Sequence, residues 1–197
     1  MNYNSTLIKE HIKSGHIKID PYIDKFQGPN LYYCHLGNNL LIPQAGKLAD
    51  TKKISKFLYK KKKINEFYDL KPGEFILAET FETFMTDKSH VIKLHNSSSL
   101  ARLGVLHCAL GMINPGCGMK SPIRLTLELT NTSPFVVRLY PTTINIDTGA
   151  VLNFGTEVLK VAVSSHSEVA IPYEKWQGAI YGSDKVVTGS RIDKRFK

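Results

Sequence analysis

The sequence is poor in cysteine, holds a single tryptophan, carries few acidic groups and contains no long apolar run. Three cysteines, Cys34, Cys108 and Cys117, are too few and too irregularly spaced for a disulfide framework, which points to a reducing compartment. No stretch reaches the roughly 18 to 20 apolar residues that a membrane helix needs. Met1 to Lys9 lacks the basic-then-apolar layout of a signal peptide. What remains is an ordinary globular composition, 42% hydrophobic and 22% charged, over 197 residues. The expectation is one cytoplasmic domain spanning residues 1–197, with no membrane partner.

The shortage of acid leaves an excess of base. Twenty-six Lys and Arg face 17 Asp and Glu, a formal charge of +9. Such a balance attracts polyanions: nucleic acid, a phospholipid surface or a phosphorylated metabolite. Much of the excess sits between Lys52 and Lys63, a stretch without an acidic residue that ends in four consecutive lysines. A solvated loop or helix face is the plainer reading of this stretch. Phe57 and Tyr59 do not interleave regularly with the lysines, and no nucleic-acid-binding motif accompanies them, so nucleic acid is not the expected partner.

Periodicity places the elements. Ser5 to Ser14 has apolar residues at helical spacing and Gly15 as a terminator. Ile17–Ile19, Leu40–Ile42 and Glu74–Phe84 read as strands, the last launched by the Lys71-Pro72-Gly73 turn. Val91–Leu94, Arg124–Leu129, Phe135–Leu139, Val158–Val163 and Val169–Ile171 continue the pattern, with turn residues between them. Many short strands and little helix argue for an all-β barrel or sandwich. The polar, glycine-punctuated segment 174–197 reads as a flexible arm.

Two segments carry the chemistry. In Ser97-Ser98-Ser99-Leu100-Ala101-Arg102-Leu103-Gly104 a serine caps one or two helical turns and Gly104 ends them. Ser98 and Arg102, four apart, share a face, with Ser99 beside them. Hydroxyls and free amides at such a helix start suit an anion, although a plain capped helix has the same look. In Arg124 to Leu129, alternation sends Leu125, Leu127 and Leu129 to one face and Arg124, Thr126 and Glu128 to the other. On an open surface Glu128 is an ordinary strand glutamate. In a pocket it is a candidate general base whose pKa burial would raise. Zinc-dependent deamination needs His-x-Glu and Pro-Cys-x-x-Cys; His107-Cys108 and Cys117 have neither spacing, so no zinc is expected in the chemistry.

Together these pieces resemble the dCTP deaminase family, within the larger trimeric dUTPase-like superfamily. The resemblance runs from Gly15-His16-Ile17-Lys18-Ile19-Asp20-Pro21 through Leu70–Thr80 and the Ser98–Gly104 block. It continues through His107, Ile113-Asn114-Pro115-Gly116 and Leu125–Leu129. Pro172-Tyr173, Lys175-Trp176-Gln177-Gly178 and Ser190-Arg191-Ile192 close it. The resemblance implies a mainly β fold, a distorted barrel or jelly-roll of the dUTPase-like type, with a short N-terminal helix and a C-terminal arm that closes over nucleotide. It implies a homotrimer with shared sites and a metal-free deamination of dCTP to dUTP and ammonia. Glu128 would then be the proton-transferring residue, with Ser98 and Arg102 holding it and the attacking water. Ser97, Ser99, His107, Leu110, Asn114, Tyr173, Lys175 and Gln177 would surround the substrate, and Mg2+ would come with the triphosphate. Feedback by dTTP is a further property that the resemblance raises.

Several positions depart from the family pattern. Ser97 stands where an arginine usually precedes the serine pair, and Asn114 where an aspartate precedes Pro-Gly. Cys117 replaces an aromatic-prone position, about four extra residues lie near Met119 to Pro122, and the usual Asp-x-Arg-Leu-Gly block reads Tyr33-Cys34-His35-Leu36-Gly37. Asn114 argues against the bifunctional alternative that also hydrolyses dUTP to dUMP. A non-catalytic nucleotide-binding protein on the same scaffold is the remaining alternative, weakened by the joint presence of Ser98, Arg102 and Glu128.

Overall fold

The computed structural model describes residues 1–145 and 147–195. Helix α1 (Ser5–Lys13) opens where Asn4 Oδ1 accepts the Leu7 amide at 3.0 Å, buries Ile8 and ends at Gly15, whose φ of +79° suits glycine. The strands follow in order: β1 (Ile17–Asp20), β2 (Tyr32–His35), β3 (Asn39–Pro43), β4 (Tyr59–Lys63), β5 (Tyr68–Leu70), β6 (Phe75–Thr86) and β7 (His90–Asn96). After the short helix α2 (Ser98–Arg102) come β8 (Val105–His107), β9 (Met112–Ile113), β10 (Ile123–Asn131), β11 (Val137–Leu139), β12 (Thr143–Ile144), β13 (Val151–Asn153) and β14 (Glu157–Ser165).

The order β4-β3-β6-β10-β8, with β1 also on β6, makes a six-stranded sheet, and β2-β14-β7-β9 makes a four-stranded one. Strands β5 and β11 form one small ladder, β12 and β13 another. Apolar side chains from both large sheets, among them Tyr32, Ile76, Phe84, Leu127, Leu129 and Val161, merge into one core. This is the mainly β arrangement with a short N-terminal helix that the turn-punctuated strands imply.

Two local expectations give way. The tetra-lysine run is neither loop nor helix but β4, the edge strand of the large sheet, paired residue for residue with β3. The apolar β3 offers an edge that needs a partner, and its ladder overrides the weak strand preference of lysine. Four exposed lysines then guard the edge against further pairing. Val169–Ile171, expected as a strand, is irregular; an apolar run without a partner edge forms no ladder. The segment expected as an arm is described to Arg195 and lies along the large sheet; residues 196 and 197 fall outside the described residues.

The unusual Tyr33-Cys34-His35-Leu36-Gly37 block has a physical reason. Its His35 lies beside Glu82, and both are almost fully buried. The His35 amide donates to Glu82 Oε2 at 2.9 Å, and its Nδ1 lies 3.0 Å from Oε1. Gly37 follows because its amide donates to the Glu79 carbonyl at 2.8 Å and a Cβ there would sit 2.7 Å from Glu79 Cγ. Removing the imidazole alone strands one carboxylate oxygen in the interior. His35→Ala should therefore cost on the order of 3 kcal/mol, measured by denaturant unfolding, and a loss within experimental error would show that water replaces the ring.

Candidate active site

The start of α2 is set by Ser97, a buried residue whose Oγ accepts the Leu100 amide at 3.4 Å. That hydroxyl is committed to the cap, so Ser97 shapes the turn. Ser98, Ser99 and Arg102 are exposed beside it. Gly104 ends the helix at φ +76°, where a Cβ would lie 2.6 Å from that of Ser133. The Thr132 amide donates to the Gly104 carbonyl at 2.8 Å, which ties the helix to the end of β10. From β14, Lys160 Nζ donates to Ser98 Oγ at 3.5 Å. Nothing local in the sequence singles out Lys160, because only the sheet order brings it here. The cluster thus holds hydroxyls and two cations, a set suited to phosphate oxygens, with Glu157 Oε1 3.8 Å from Lys160 Nζ on its inner side.

Strand β10 carries Glu128. Leu127 and Leu129 point into the core, and Glu128 faces the other way, half-buried. Its cross-strand partner on β6 is Leu77, which forms a small outer cluster with Leu41 and Val187. A register shift falls between Arg124 and Thr126, and Leu125 there is part-buried, packed against the core and also reaching the rim of the outer face. The segment 180–191 lies over this face: the Val187 amide donates to Glu79 Oε2 at 2.8 Å and the Thr188 amide to Thr126 Oγ1 at 3.2 Å. Arg191 closes the loop on Asp184 at 2.8 Å. Between loop and sheet lies a cavity of about 370 Å³, lined by Tyr59, Thr126, Glu128, Tyr181, Asp184 and Ser190 among others. Burial raises the Glu128 pKa above the usual carboxylate value, the direction that suits a proton-transferring carboxyl.

A third group surrounds the turn at Asn114. Tyr173 and Glu174 donate their amides to the carbonyls of Pro115 and Gly116 at 2.9 and 3.2 Å. Gly116 has φ +76°, and a Cβ there would overlap Pro172 at 2.2 Å, so only glycine permits this contact. Half-buried Asn114 and Tyr173 and exposed Lys175 therefore share one corner, and Gln177 lies exposed just beyond. Leu110 is exposed on the link between β8 and β9. His107 pairs in register with Leu129 and so shares its side of the sheet, opposite to Glu128. Its Nε2 lies 2.7 Å from the Val158 carbonyl, and burial lowers its pKa.

Within one chain these groups stay apart: neither Ser98 nor Arg102 reaches the Glu128 cavity. Arg124 and Thr126 were legible as lining residues from alternation with Glu128. Tyr59, Tyr181 and Asp184 were not, because long-range folding alone brings them to β10. Leu103 at the end of α2, Leu110 on the β8–β9 link and Met112 on β9 are exposed apolar residues.

Comparison with known proteins gives first the fold and then the family. A deoxycytidine triphosphate deaminase structure from Agrobacterium tumefaciens superposes with a TM-score of 0.57 at 13% identity, over 82% of this chain and 47% of that one. This chain thus spans about half the length of that protein, and the likeness is one of fold. The pattern of the dCTP deaminase-like family matches residues 3–144. A protein of Methanoregula boonei described as "dCTP deaminase, dUMP-forming" is 31% identical over 96% of both chains. One of Dictyoglomus thermophilum with the same description is 30% identical over 96% of this chain and 93% of its own. The chain belongs to the dCTP deaminase-like family.

The raised pKa of Glu128 has a consequence for stability. A carboxyl whose pKa is higher folded than unfolded binds more protons in the folded state between the two values, so stability falls as pH rises through that window. Glu128→Gln removes the titration. The melting temperature of the variant minus that of the parent should rise from near zero below the ordinary carboxylate pKa to a positive value at neutral pH. A difference that does not change with pH would mean that Glu128 is not withdrawn from water.

Proposed function

We propose that this chain is an enzyme that deaminates dCTP hydrolytically, with Glu128 as the proton-transferring residue. The observation that carries this reading is a half-buried glutamate of raised pKa facing a partly open cavity between sheet and loop, in a chain of this family. Water attacks C4 of the cytosine; Glu128 takes its proton and returns protons to the ring and to the departing ammonia. Carbon–nitrogen cleavage leaves dUTP. Ser98 and Arg102 orient the water and the carboxylate, and because the folded chain keeps them away from its own Glu128, they act on the Glu128 of a neighbouring subunit. Exposed Leu103 at the end of α2 suits that contact, and the assembly is a homotrimer.

Phosphate binding falls to Ser99 and Lys160. Lys160 supplies a cation beside the serine pair where the usual arginine is Ser97. Mg2+ comes with the nucleotide, held by the triphosphate oxygens. Asn114 and Tyr173 hold the sugar side, with Lys175 and Gln177 at the closing segment.

A second step is favoured by the descriptions of the relatives as dUMP-forming. In it, dUTP and water give dUMP and pyrophosphate. The neutral Asn114 offers no charge to a base there, so any assistance must come through hydrogen bonding. Incubation with dCTP should release ammonia together with dUMP and pyrophosphate, whereas dCMP should react poorly for want of phosphate contacts. Arg102→Ala should lower turnover by about 10² or more without a comparable loss of stability. Accumulating dUTP would remove the second step, and absence of ammonia from any cytosine nucleotide would leave a binding protein.

A further inference from the structure

Ten residues beyond Leu77 on the chain, past the far end of β6, lies a cluster that the proposed reaction does not use. Asp87, in the turn between β6 and β7, has each carboxylate oxygen against a different imidazole. Oδ2 lies 2.7 Å from His16 Nδ1 and Oδ1 lies 2.6 Å from His90 Nδ1. The three ligand atoms fall within 4.8 Å of one another. His11, on α1, completes a packed group of rings, with centroids 4.6 Å from His90 and 5.4 Å from His16.

Several features distinguish this cluster from a solvated surface pair. The side chain of His90 is 6% exposed and that of Asp87 27%, while His16 stands half exposed and leaves an entry path. The Ser89 amide donates to Asp87 Oδ1 at 2.8 Å, which fixes the carboxylate. The other nitrogen of His90, Nε2, is 3.0 Å from the Tyr3 hydroxyl, so the ring is oriented from behind. A hydrogen-bonded partner on the far nitrogen is the usual support for a metal-bound imidazole. His11 Nδ1, meanwhile, is out of contact with solvent and has no hydrogen-bond partner. A water held on an ion beside it would supply one.

We propose that His16, Asp87 and His90 form a binding site for a divalent transition-metal ion of the zinc or cobalt type. Two imidazoles and a carboxylate are ligands that such ions accept, with bonds of about 2.0 to 2.2 Å. The two Nδ1 atoms and a carboxylate oxygen need separate only modestly from hydrogen-bond distance to surround an ion. On binding, each Nδ1 proton moves to Nε2 of the same ring; in His90 it then faces Tyr3. Charge balance is favourable, because the ion sits between one carboxylate and two neutral rings.

The site is structural in its consequences. It ties the segment after α1 to the β6–β7 turn. That turn holds the Asn114 loop: the Gly116 amide donates to the Asp87 carbonyl at 2.8 Å, and Thr86 Oγ1 donates to the Asn114 carbonyl at 2.7 Å. An ion here would stiffen the corner that carries Asn114 and Tyr173. It takes no part in carbon–nitrogen cleavage, since Glu128 pairs near the opposite end of β6.

The test is titration of the metal-stripped full chain with Co2+, followed by visible absorption and calorimetry. One equivalent per chain should bind, with d–d bands that Zn2+ abolishes, and Zn2+ should raise the melting temperature. His16→Ala, which removes a half-exposed ring and spares the core, should weaken binding at least tenfold and cancel the thermal gain; Asp87→Asn should do the same. Cys108→Ser should bind as the parent does. Failure of the parent to bind, undiminished binding in His16→Ala, or loss of binding in Cys108→Ser would each overturn the proposal. None of these readouts depends on deaminase activity.

Discussion

The alternation of β10 is the constraint on which the site depends. Leu127 and Leu129 are claimed by the core, and a strand that buries them must turn Glu128 outward. A one-residue slip in register would bury the glutamate and expose both leucines, a loss of several kcal/mol of apolar burial. The hydrophobic effect thereby positions an ionisable group. Outward does not mean solvated here, because Val187 packs on Leu41 and Leu77 and brings the segment 180–191 down over the same face. Folding energy spent on that small apolar contact maintains the low-dielectric environment of Glu128.

Buried polar residues do the remaining positioning. Glu79 is 1% exposed and accepts hydrogen bonds from Asn39 Nδ2 and from the Val187 amide, joining β3 and the covering segment to β6. Three residues on, Glu82 answers His35 from β2 of the other sheet. These carboxylates are acceptable inside the fold because donors meet them at fixed distances. The two sheets are thus registered by polar contacts as well as by the shared core.

The legible part of the molecule is the part governed by local period. Strand-forming runs bounded by turn residues revealed β6 and β14, alternation revealed β10, the serine cap and Gly104 revealed α2, and both candidate chemical segments follow directly from these elements. Partners set by distant chain were hidden. Lys160 acquires its place beside Ser98 only through pairing of β14 with β7, and Tyr59 and Asp184 meet Glu128 only after the large sheet has formed. The lysine run misled because composition speaks of solvation while an unpaired neighbouring strand decides structure. Val169–Ile171 misled in the opposite sense, having strand-forming residues and no edge to join.

The central claim is that Glu128 of one chain works with Ser98 and Arg102 of another. Its most direct test is activity in a mixture of two inactive variants, Glu128→Gln and Arg102→Ala, unfolded together and reassembled. If the site is shared, random assembly restores an intact pairing at about a quarter of the sites, and deamination should return to that fraction of the parent rate. If each chain acts alone, every site carries one lesion and the mixture stays as inactive as its components.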